Sequence, residues 1–203
     1  MKKYLFLLPA LALAALAFTT NKVGVDIGDK APMADAKMKD ISGKDYSLKD
    51  LKKENGLLVV FSCNTCPFVL GWEDQYPGLG ELTKESQIGM VLVNSNAAKR
   101  EGDDSLEAMK KHAEKAGYNT PYVVDADNQL ANAFGAETTP HVFLFDKNMT
   151  LVYKGSINDK YEDRDKEASK FYLNEAISNL LAGKEIDPAS TRQIGCTIKR
   201  VKA

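Results

Sequence analysis

An uninterrupted apolar run constrains the fold of this chain more than any other feature of its sequence. Gly56 is followed by LLVVF over residues 57–61, with no polar side chain available to face solvent. Such a run is typical of a strand that is buried on both faces, inside a sheet covered by helices. A second run, over residues 88–93, has the same character. Together the two runs predict an α/β domain with a central mixed β-sheet flanked by helices.

Strand and helix patterns alternate along the rest of the chain. Ser42-Gly43, between short alternating segments, predicts a hairpin, and a helical turn is expected to begin near Ser47. Periodicity and caps predict helices from near Cys63 to Ser86 with a break at Pro77-Gly78, from Ser105 to about Ala116, from Asp127 to Gly135 and from Lys166 to Leu181. Strands are predicted at residues 121–124 and in a second hairpin, 141–145 with 150–153.

Two cysteines, Cys63 and Cys66, stand directly after the first apolar run. At the start of a helix, this spacing brings two sulfur atoms to one side, close enough to form a disulfide. The unpaired N–H groups and the dipole of the helix N-terminus favour a thiolate at Cys63, which would be the nucleophile. Cys66, one turn inward, is suited to resolving a mixed disulfide. The motif therefore predicts a redox-active disulfide with Cys63 and Cys66 as the catalytic residues.

Two other readings of the cysteine pair are weaker. Such a pair can be half of a zinc site, but the matching half is absent, and Cys196 and His141 could only improvise one. The pair could also form an inert structural disulfide. A bridge over two intervening residues at a strand–helix junction favours redox chemistry instead, so no metal and no bound cofactor are predicted.

The first residues predict export. Residues 1–17 have a short basic start, an apolar stretch and an Ala-Leu-Ala cleavage site, as in a secretory signal peptide. The predicted organisation is a signal peptide at 1–17, an exposed lead-in at 18–27, a domain at 28–183 and a C-terminal segment at 184–203 that contains Cys196. Cleavage would leave no stable membrane span, and we expect a soluble periplasmic or extracellular protein. The net charge of −1 and the lack of a dense basic tract exclude a nucleic-acid footprint.

Four segments carry a resemblance to a known family. VVFSCNTCPF at residues 59–68 and TTPHVFLFD at 138–146 resemble the thioredoxin-like superfamily, in particular its exported thioredoxin and redoxin (AhpC/TSA-like) members. VNSN at 93–96 and IGCTIK at 194–199 look like segments of one redoxin subgroup. The resemblance covers residues 28–198. It implies a thioredoxin-like fold, here with an N-terminal hairpin extension and a central insertion.

The resemblance also implies a substrate-binding segment. In such families a cis proline faces the active-site cysteines, and Pro140 matches it. The backbone of Thr139 would then pair with a substrate segment as a short β-augmentation. His141 follows directly and is assigned to the same segment. Near Cys63 it would stabilise a thiolate or supply a third copper ligand, while the plainer reading is a side chain that only lines the groove.

The chain departs from the thioredoxin pattern at two places. Ser62 stands where thioredoxins have a tryptophan, and the apolar Leu57 stands where they carry a buried acid. The proton acceptor for the resolving thiol would have to come from elsewhere. Glu73 is a candidate, although a solvated helix-face carboxylate is the more common role for such a residue.

Cys196 is the third cysteine, about 130 positions after Cys66. A lone cysteine most often behaves as a small buried hydrophobe. Cys196 could instead lie near the active site as a third thiol or pair between chains, and nothing in the sequence places it.

Three functions compete. The leading prediction is a thiol–disulfide oxidoreductase acting on protein disulfides and dithiols, with electrons supplied by a partner redox protein. A thiol peroxidase is disfavoured, because Val60 and Gly56 occupy positions where peroxiredoxins carry a threonine or serine and a proline. A Cu(I) chaperone would use Cys63, Cys66 and His141, since soft thiolates suit Cu(I), but no Met-rich or His-rich tract supports it.

Overall fold

The computed structural model describes residues 24–162 and 167–201. The predicted signal peptide and most of the predicted lead-in lie outside these residues. No helix in the two described stretches is both long enough and apolar enough to cross a membrane.

A seven-stranded mixed sheet forms the centre of the domain. The strands are β1 Met38–Asp40, β2 Asp45–Tyr46, β3 Gly56–Ser62, β4 Ile88–Asn94, β5 Tyr122–Val124, β7 His141–Asp146 and β8 Leu151–Gly155. Their order in the sheet is β2-β1-β5-β4-β3-β7-β8. The three central strands, β5, β4 and β3, are parallel, and the strands at both edges run antiparallel to their neighbours.

Helices cover both faces of this sheet. They are α1 Leu48–Leu51, α2 Pro67–Leu70, α3 Tyr76–Glu85, α4 Leu106–Ala116, α5 Gln129–Phe134 and α6 Tyr172–Leu181, with short 3₁₀ turns at Glu73–Gln75, Ala97–Lys99 and Ala126–Asn128. The predicted mixed sheet flanked by helices is therefore what the chain forms.

The alternation of side chains along β3 divides the core in two. Leu58 and Val60 point to one face, where they join a buried cluster that contains Cys63 and Cys66. Leu57, Val59 and Phe61 point to the other face, into a separate cluster of aliphatic and aromatic side chains. Every residue of β3 is buried, as the apolar run predicts. The cysteines therefore belong to one particular face of the sheet.

The N-terminal hairpin and its helical turn are confirmed. β1 and β2 pair as an antiparallel hairpin at the edge of the sheet. Ser47 caps α1 by accepting the backbone N–H of Asp50, whose carboxylate accepts the N–H of Ser47 in return. This reciprocal pair is a capping box, which fixes where the helix begins.

The helix predicted from Cys63 to Ser86 is wrong in its start and in its break. Cys66 has an extended backbone, and α2 begins only at Pro67. A residue that precedes proline is disfavoured in the helical region, which explains the late start. The chain then leaves α2 after Leu70 and resumes as α3 at Tyr76, so that Pro77 lies in a first turn, where it is tolerated.

The last helix is shorter than predicted. α6 begins at Tyr172, and Lys166, the predicted start, lies outside the described residues. The C-terminal segment packs back onto the domain and contributes β9, Cys196–Thr197, which pairs with β6, Thr138–Thr139, in a separate two-stranded sheet. The division of the chain at residues 183 and 184 stays a prediction.

Candidate active site

The end of β3 fixes the position of Cys63. Ser62 pairs with Asn94 of β4 on one side, and Phe61 pairs with His141 of β7 on the other. Because β4 is parallel and β7 is antiparallel, the end of β4 and the start of β7 meet beside the end of β3. Cys63 therefore lies between the loop after β4 and the Thr139–Pro140 segment that leads into β7.

The two thiols are buried and share the same neighbour. Cys63 is 2% exposed and Cys66 is 4% exposed. The Cys63 sulfur lies 3.2 Å from the Thr139 hydroxyl, and the Cys66 sulfur lies 3.2 Å from the Thr139 carbonyl oxygen. The three cysteines of the chain are free thiols. Thr139 thus contacts both members of the pair from the opposite side of the groove.

A hydrogen-bonding interaction between the two thiols shifts their pKa values in opposite directions. This bond from Cys63 lowers the pKa of Cys66 to about 5, against the opposing effect of burial, and hydrogen bonds from Cys196 and the Val69 N–H act in the same direction. The same bond and then burial raise the pKa of Cys63. The reduced site therefore holds one proton between the two sulfur atoms, with the thiolate on Cys66.

The structure assigns the helix N-terminus to Cys66 instead of Cys63. Cys66 is the N-cap of α2, and Cys63 lies in the loop before it. The sequence-based expectation that Cys63 lies at the helix N-terminus is thus wrong. It assumed a helix that started three residues too early.

A buried carboxylate, Asp104, lies behind the cysteine loop. Its side chain is fully buried. It accepts the backbone N–H of Asn64 at 3.0 Å, the amide of Asn94 at 2.7 Å and the amide of Asn96 at 2.9 Å. Arg100 donates to the Asp104 carbonyl at 2.6 Å. Burial lowers the pKa of this guanidinium, and the charge of Asp104 opposes the shift. Buried charges persist when their hydrogen bonds are satisfied in this way.

Asp104 holds the cysteine loop and raises the pKa of Cys63 by charge repulsion, a smaller effect than the hydrogen bond to Cys66 and burial. Asp104 is not among the predicted site residues, because Asp103-Asp104-Ser105 is typical of a helix cap. Ser105 is indeed the cap of α4. One sequence signal did point to such a residue. Asn94 and Asn96 stand at the end of a buried strand, where their side-chain N–H groups need a hydrogen-bond acceptor.

Glu73 is not available to the thiols as a proton acceptor. Its carboxylate lies 2.7 Å from the His112 ring nitrogen and accepts the Tyr118 hydroxyl at 3.1 Å. His112, which would be solvated on a plain helix face, is mostly buried in this pair. Neither partner of the Glu73 carboxylate is a cysteine sulfur. Glu73 thus ties the turn after α2 to α4.

His141 faces away from the cysteines. Val142 packs in the cysteine-side core, so the alternation along β7 turns His141 to the opposite face, where its ring packs on Phe143 with centroids 4.3 Å apart. Its Nδ1 is buried without a hydrogen-bond partner, and burial lowers the pKa of His141 to about 3. The structure therefore does not bring this predicted substrate or copper residue to the thiols.

Thr139 and Pro140 lie where the resemblance places them. The peptide bond between them is cis. The strand edge expected to receive a substrate is already occupied, because Thr139 pairs with Cys196 of β9. No short sequence pattern predicts this pairing, since the two residues are far apart in the chain.

Cys196 lines the same cavity as the cysteine pair. This cavity of about 230 Å³ is bordered by Cys63, Cys66, Thr139 and Cys196, with Lys99 and Lys199 at its side. Burial, and then a hydrogen bond to Cys66, raise the pKa of Cys196 to about 11. Within residues 24–162 and 167–201, no cluster of three or more His, Cys, Asp or Glu side chains has the arrangement of a metal site.

Comparison with known families identifies the family of this chain. Residues 27–154 match the AhpC/TSA family, over more than half of the chain. The chain belongs to the AhpC/TSA family. The predicted resemblance to thioredoxin-like redoxins is thereby confirmed.

Curated and solved relatives extend the comparison. The thiol-disulfide oxidoreductase ResA of Geobacillus thermodenitrificans is 32% identical over 68% of this chain and 77% of its own length. An uncharacterised conserved protein from Geobacillus kaustophilus has a TM-score of 0.82 and 30% identity, over 88% of this chain and 94% of its own. A putative thiol:disulfide interchange protein DsbE from Chlorobium tepidum has a TM-score of 0.59 and 19% identity, over 78% and 99%. These relatives confirm the thioredoxin-like fold and a thioredoxin-like oxidoreductase.

The shared proton predicts the pH dependence of the reduced protein. Thiolate absorbance in the ultraviolet should rise with a midpoint near pH 5, the pKa of Cys66, and this step should be absent in Cys66→Ser. Because the folded pKa lies below the ordinary value of 9.0, the free energy of unfolding should increase between about pH 5 and 9, relative to Cys66→Ser. A single step near 9.0 in the wild type would contradict the assignment.

Asp104→Asn should loosen the cysteine loop and change the ionisation of Cys63. The N–H group of the new amide would face N–H groups that now donate to the carboxylate, and their hydrogen bonds would be lost. We therefore expect a loss of about 1–3 kcal/mol in the free energy of unfolding. In a Cys66→Ser background, the midpoint of Cys63 alkylation against pH should fall, because a repelling charge is gone. Asp103→Asn is the matched control, since its side chain is 56% exposed. Equal effects of the two substitutions would show that Asp104 has no such role.

Proposed function

We propose that this protein is an exported thiol–disulfide oxidoreductase that exchanges disulfides with protein substrates through Cys63 and Cys66. The observation that carries the proposal is the pair itself, two hydrogen-bonded thiols with one low pKa at the end of a buried central strand. Such a pair can be oxidised to a disulfide and reduced again without any bound cofactor. The named activity of the ResA relative supports the same chemistry.

The shared proton gives each thiol a role in reducing a substrate disulfide. Cys63 attacks one substrate sulfur and passes its proton to the Cys66 thiolate across their hydrogen bond. The other substrate sulfur leaves as a thiolate, and a mixed disulfide forms at Cys63. Cys66 then attacks the Cys63 sulfur, and the departing substrate thiolate takes the Cys66 proton. One disulfide breaks and one forms in the whole cycle, so two electrons pass from the pair to the substrate.

Access to the pair requires an opening on one side of the cavity. Both thiols are nearly buried, while Thr65 and Pro67 between and after them are exposed. The Thr139 edge is covered by β9. A substrate segment therefore reaches the sulfur atoms over Thr65 and Pro67, or displaces β9 to pair with Thr139 as the resemblance implies.

Export and the partners belong to the same proposal. The signal-peptide pattern at residues 1–17 supports delivery to the periplasm or the exterior. There the cycle needs a second redox protein to reduce the Cys63–Cys66 disulfide again, or to oxidise the dithiol, depending on the reduction potential.

The alternative functions gain little from the geometry. Val60, three positions before Cys63, is an apolar side chain buried in the core and offers no hydroxyl to a peroxide. For a copper chaperone the expected third ligand is missing from the thiol cavity, because His141 faces the other side of the sheet.

Trapping the mixed disulfide tests the assignment of Cys63 and Cys66. Reduced Cys66→Ser incubated with insulin should accumulate a covalent complex, since Cys63 can attack and no thiol at position 66 resolves it. The complex should be visible on a non-reducing gel and map to Cys63 by mass spectrometry. Cys63→Ser is the matched control and should trap nothing. The proposal fails if Cys63→Ser traps as much as Cys66→Ser, or if the trapped peptide contains Cys196 in both.

A further inference from the structure

The C-terminal segment brings a third thiol to the redox pair through regular strand pairing. Thr138 pairs with Thr197, and Thr139 pairs with Cys196, in antiparallel register. The backbone N–H of Ile198 continues the ladder by donating to the Glu137 carbonyl at 2.9 Å. The strand register therefore fixes Cys196 opposite Thr139, the residue that contacts both Cys63 and Cys66.

The other side of this segment is held as well. Lys199 donates its backbone N–H to the Asn96 side-chain oxygen at 2.8 Å, and Ala98 donates to the Lys199 carbonyl at 2.9 Å. Arg200 donates to the Asn132 side chain at 2.9 Å and to the Ala136 carbonyl at 2.7 Å. The segment thus lies between the loop after β4 and the strand before Pro140, which are the two walls of the active site.

Gly195 makes this close approach feasible. A Cβ atom at this position would lie 2.3 Å from the Thr139 carbonyl oxygen and 2.7 Å from its carbon, both of them backbone atoms. Any larger residue would push β9 away from β6. The glycine thus serves the contact between the segment and the active site and not a turn, because its backbone is not in the left-handed region.

Cys66 is next to both other cysteines. Its sulfur donates to the Thr139 carbonyl at 3.2 Å, and Thr139 pairs with Cys196 in the two-stranded sheet. Interactions with the Cys63 and Cys196 thiols lower the pKa of Cys66. All three sulfur-bearing residues line one cavity. A disulfide between Cys63 and Cys66 would consequently have a free thiol next to one of its two sulfur atoms, and that atom belongs to Cys66.

We propose that Cys196 is a third redox-active thiol that exchanges with the Cys63–Cys66 disulfide at Cys66. The Cys196 thiolate attacks the Cys66 sulfur, a Cys66–Cys196 bond forms, the Cys63–Cys66 bond breaks, and Cys63 leaves as a thiolate that takes the proton lost by Cys196. One disulfide replaces another, so no external oxidant or reductant takes part. The proposal rests on the proposed function, because that cycle generates the first disulfide.

The exchange has a structural consequence. The Cys66–Cys196 bond links β9 covalently to the start of α2 and holds it on the Thr139 edge, while Cys63 is released as a free thiol. Each oxidised molecule keeps one free thiol, on Cys196 before the exchange and on Cys63 after it. The identity of that thiol therefore reports which disulfide is present.

Disulfide mapping of the oxidised chain tests the exchange. The full mature chain is oxidised with one equivalent of diamide at low protein concentration, quenched with acid, alkylated and mapped by mass spectrometry. We expect the free thiol on Cys63 in at least about one molecule in ten, and a Cys66–Cys196 disulfide in nearly all monomers of Cys63→Ser. The proposal is overturned if Cys196 is the free thiol throughout in the wild type and no intramolecular disulfide forms in Cys63→Ser.

Two glycine substitutions show whether β9 pairing brings Cys196 to Cys66. Gly195→Ala keeps all three cysteines but displaces the strand, and it should lower the Cys66–Cys196 fraction at least about tenfold. Gly78→Ala is the matched control, because a Cβ atom there would meet nothing within 4 Å, and its disulfide map should equal that of the wild type. An unchanged map in folded Gly195→Ala would contradict the role of the strand.

The mapping is independent of the proposed activity, because diamide and not a protein supplies the disulfide. Failure of insulin trapping together with a Cys66–Cys196 bond would reject the proposed function and retain the third thiol. Successful insulin trapping without a Cys66–Cys196 bond would retain the proposed function and reject Cys196 as a third redox-active thiol.

Discussion

The site depends on one constraint, which is that the buried strand β3 pairs with a neighbouring strand on each side. β4 pairs with it in parallel and β7 in antiparallel register, so its carboxyl end is held from both sides. Cys63 follows that end directly. Thr139 reaches the sulfur atoms because β7 begins beside the point where β3 stops. An apolar strand that faces no solvent therefore sets the geometry of the polar chemistry at its end.

A buried charge provides the second constraint. Asp104 lies beneath the cysteine loop, and three N–H donors from Asn64, Asn94 and Asn96 compensate its loss of water. The interaction with Cys66 and then burial raise the pKa of Cys63, and the charge of Asp104 adds a smaller increase. The reduced pair thus retains one proton, and its thiolate lies on Cys66, where the Cys63 thiol and then the backbone N–H of Val69 in α2 lower the pKa.

Local patterns predicted much of this protein, and contacts between distant segments account for what they missed. The apolar run at 57–61 correctly predicts a central strand, because only a strand buried on both faces lacks polar side chains in this way. α2 starts later than predicted, at Pro67, because the spacing of the cysteines favours an earlier helix start while a residue before proline is disfavoured in a helix. His141 was assigned to the groove by its neighbour Pro140, while the alternation of β7 sends it to the other face. Asp104 and the pairing of Cys196 arise from tertiary structure, and no short pattern encodes them.

The central claim is that Cys63 and Cys66 form a reversible two-electron redox pair, and a redox titration tests it most directly. The chain without residues 1–17, carrying Cys196→Ser, is equilibrated in thiol–disulfide buffers, and the fraction of alkylated Cys66 is measured against potential. We predict one reversible transition with a slope of about 30 mV per tenfold change, which is lost when Cys63→Ser is added to the same background. Cysteines that remain reduced across all potentials, or that oxidise only between molecules, would contradict it.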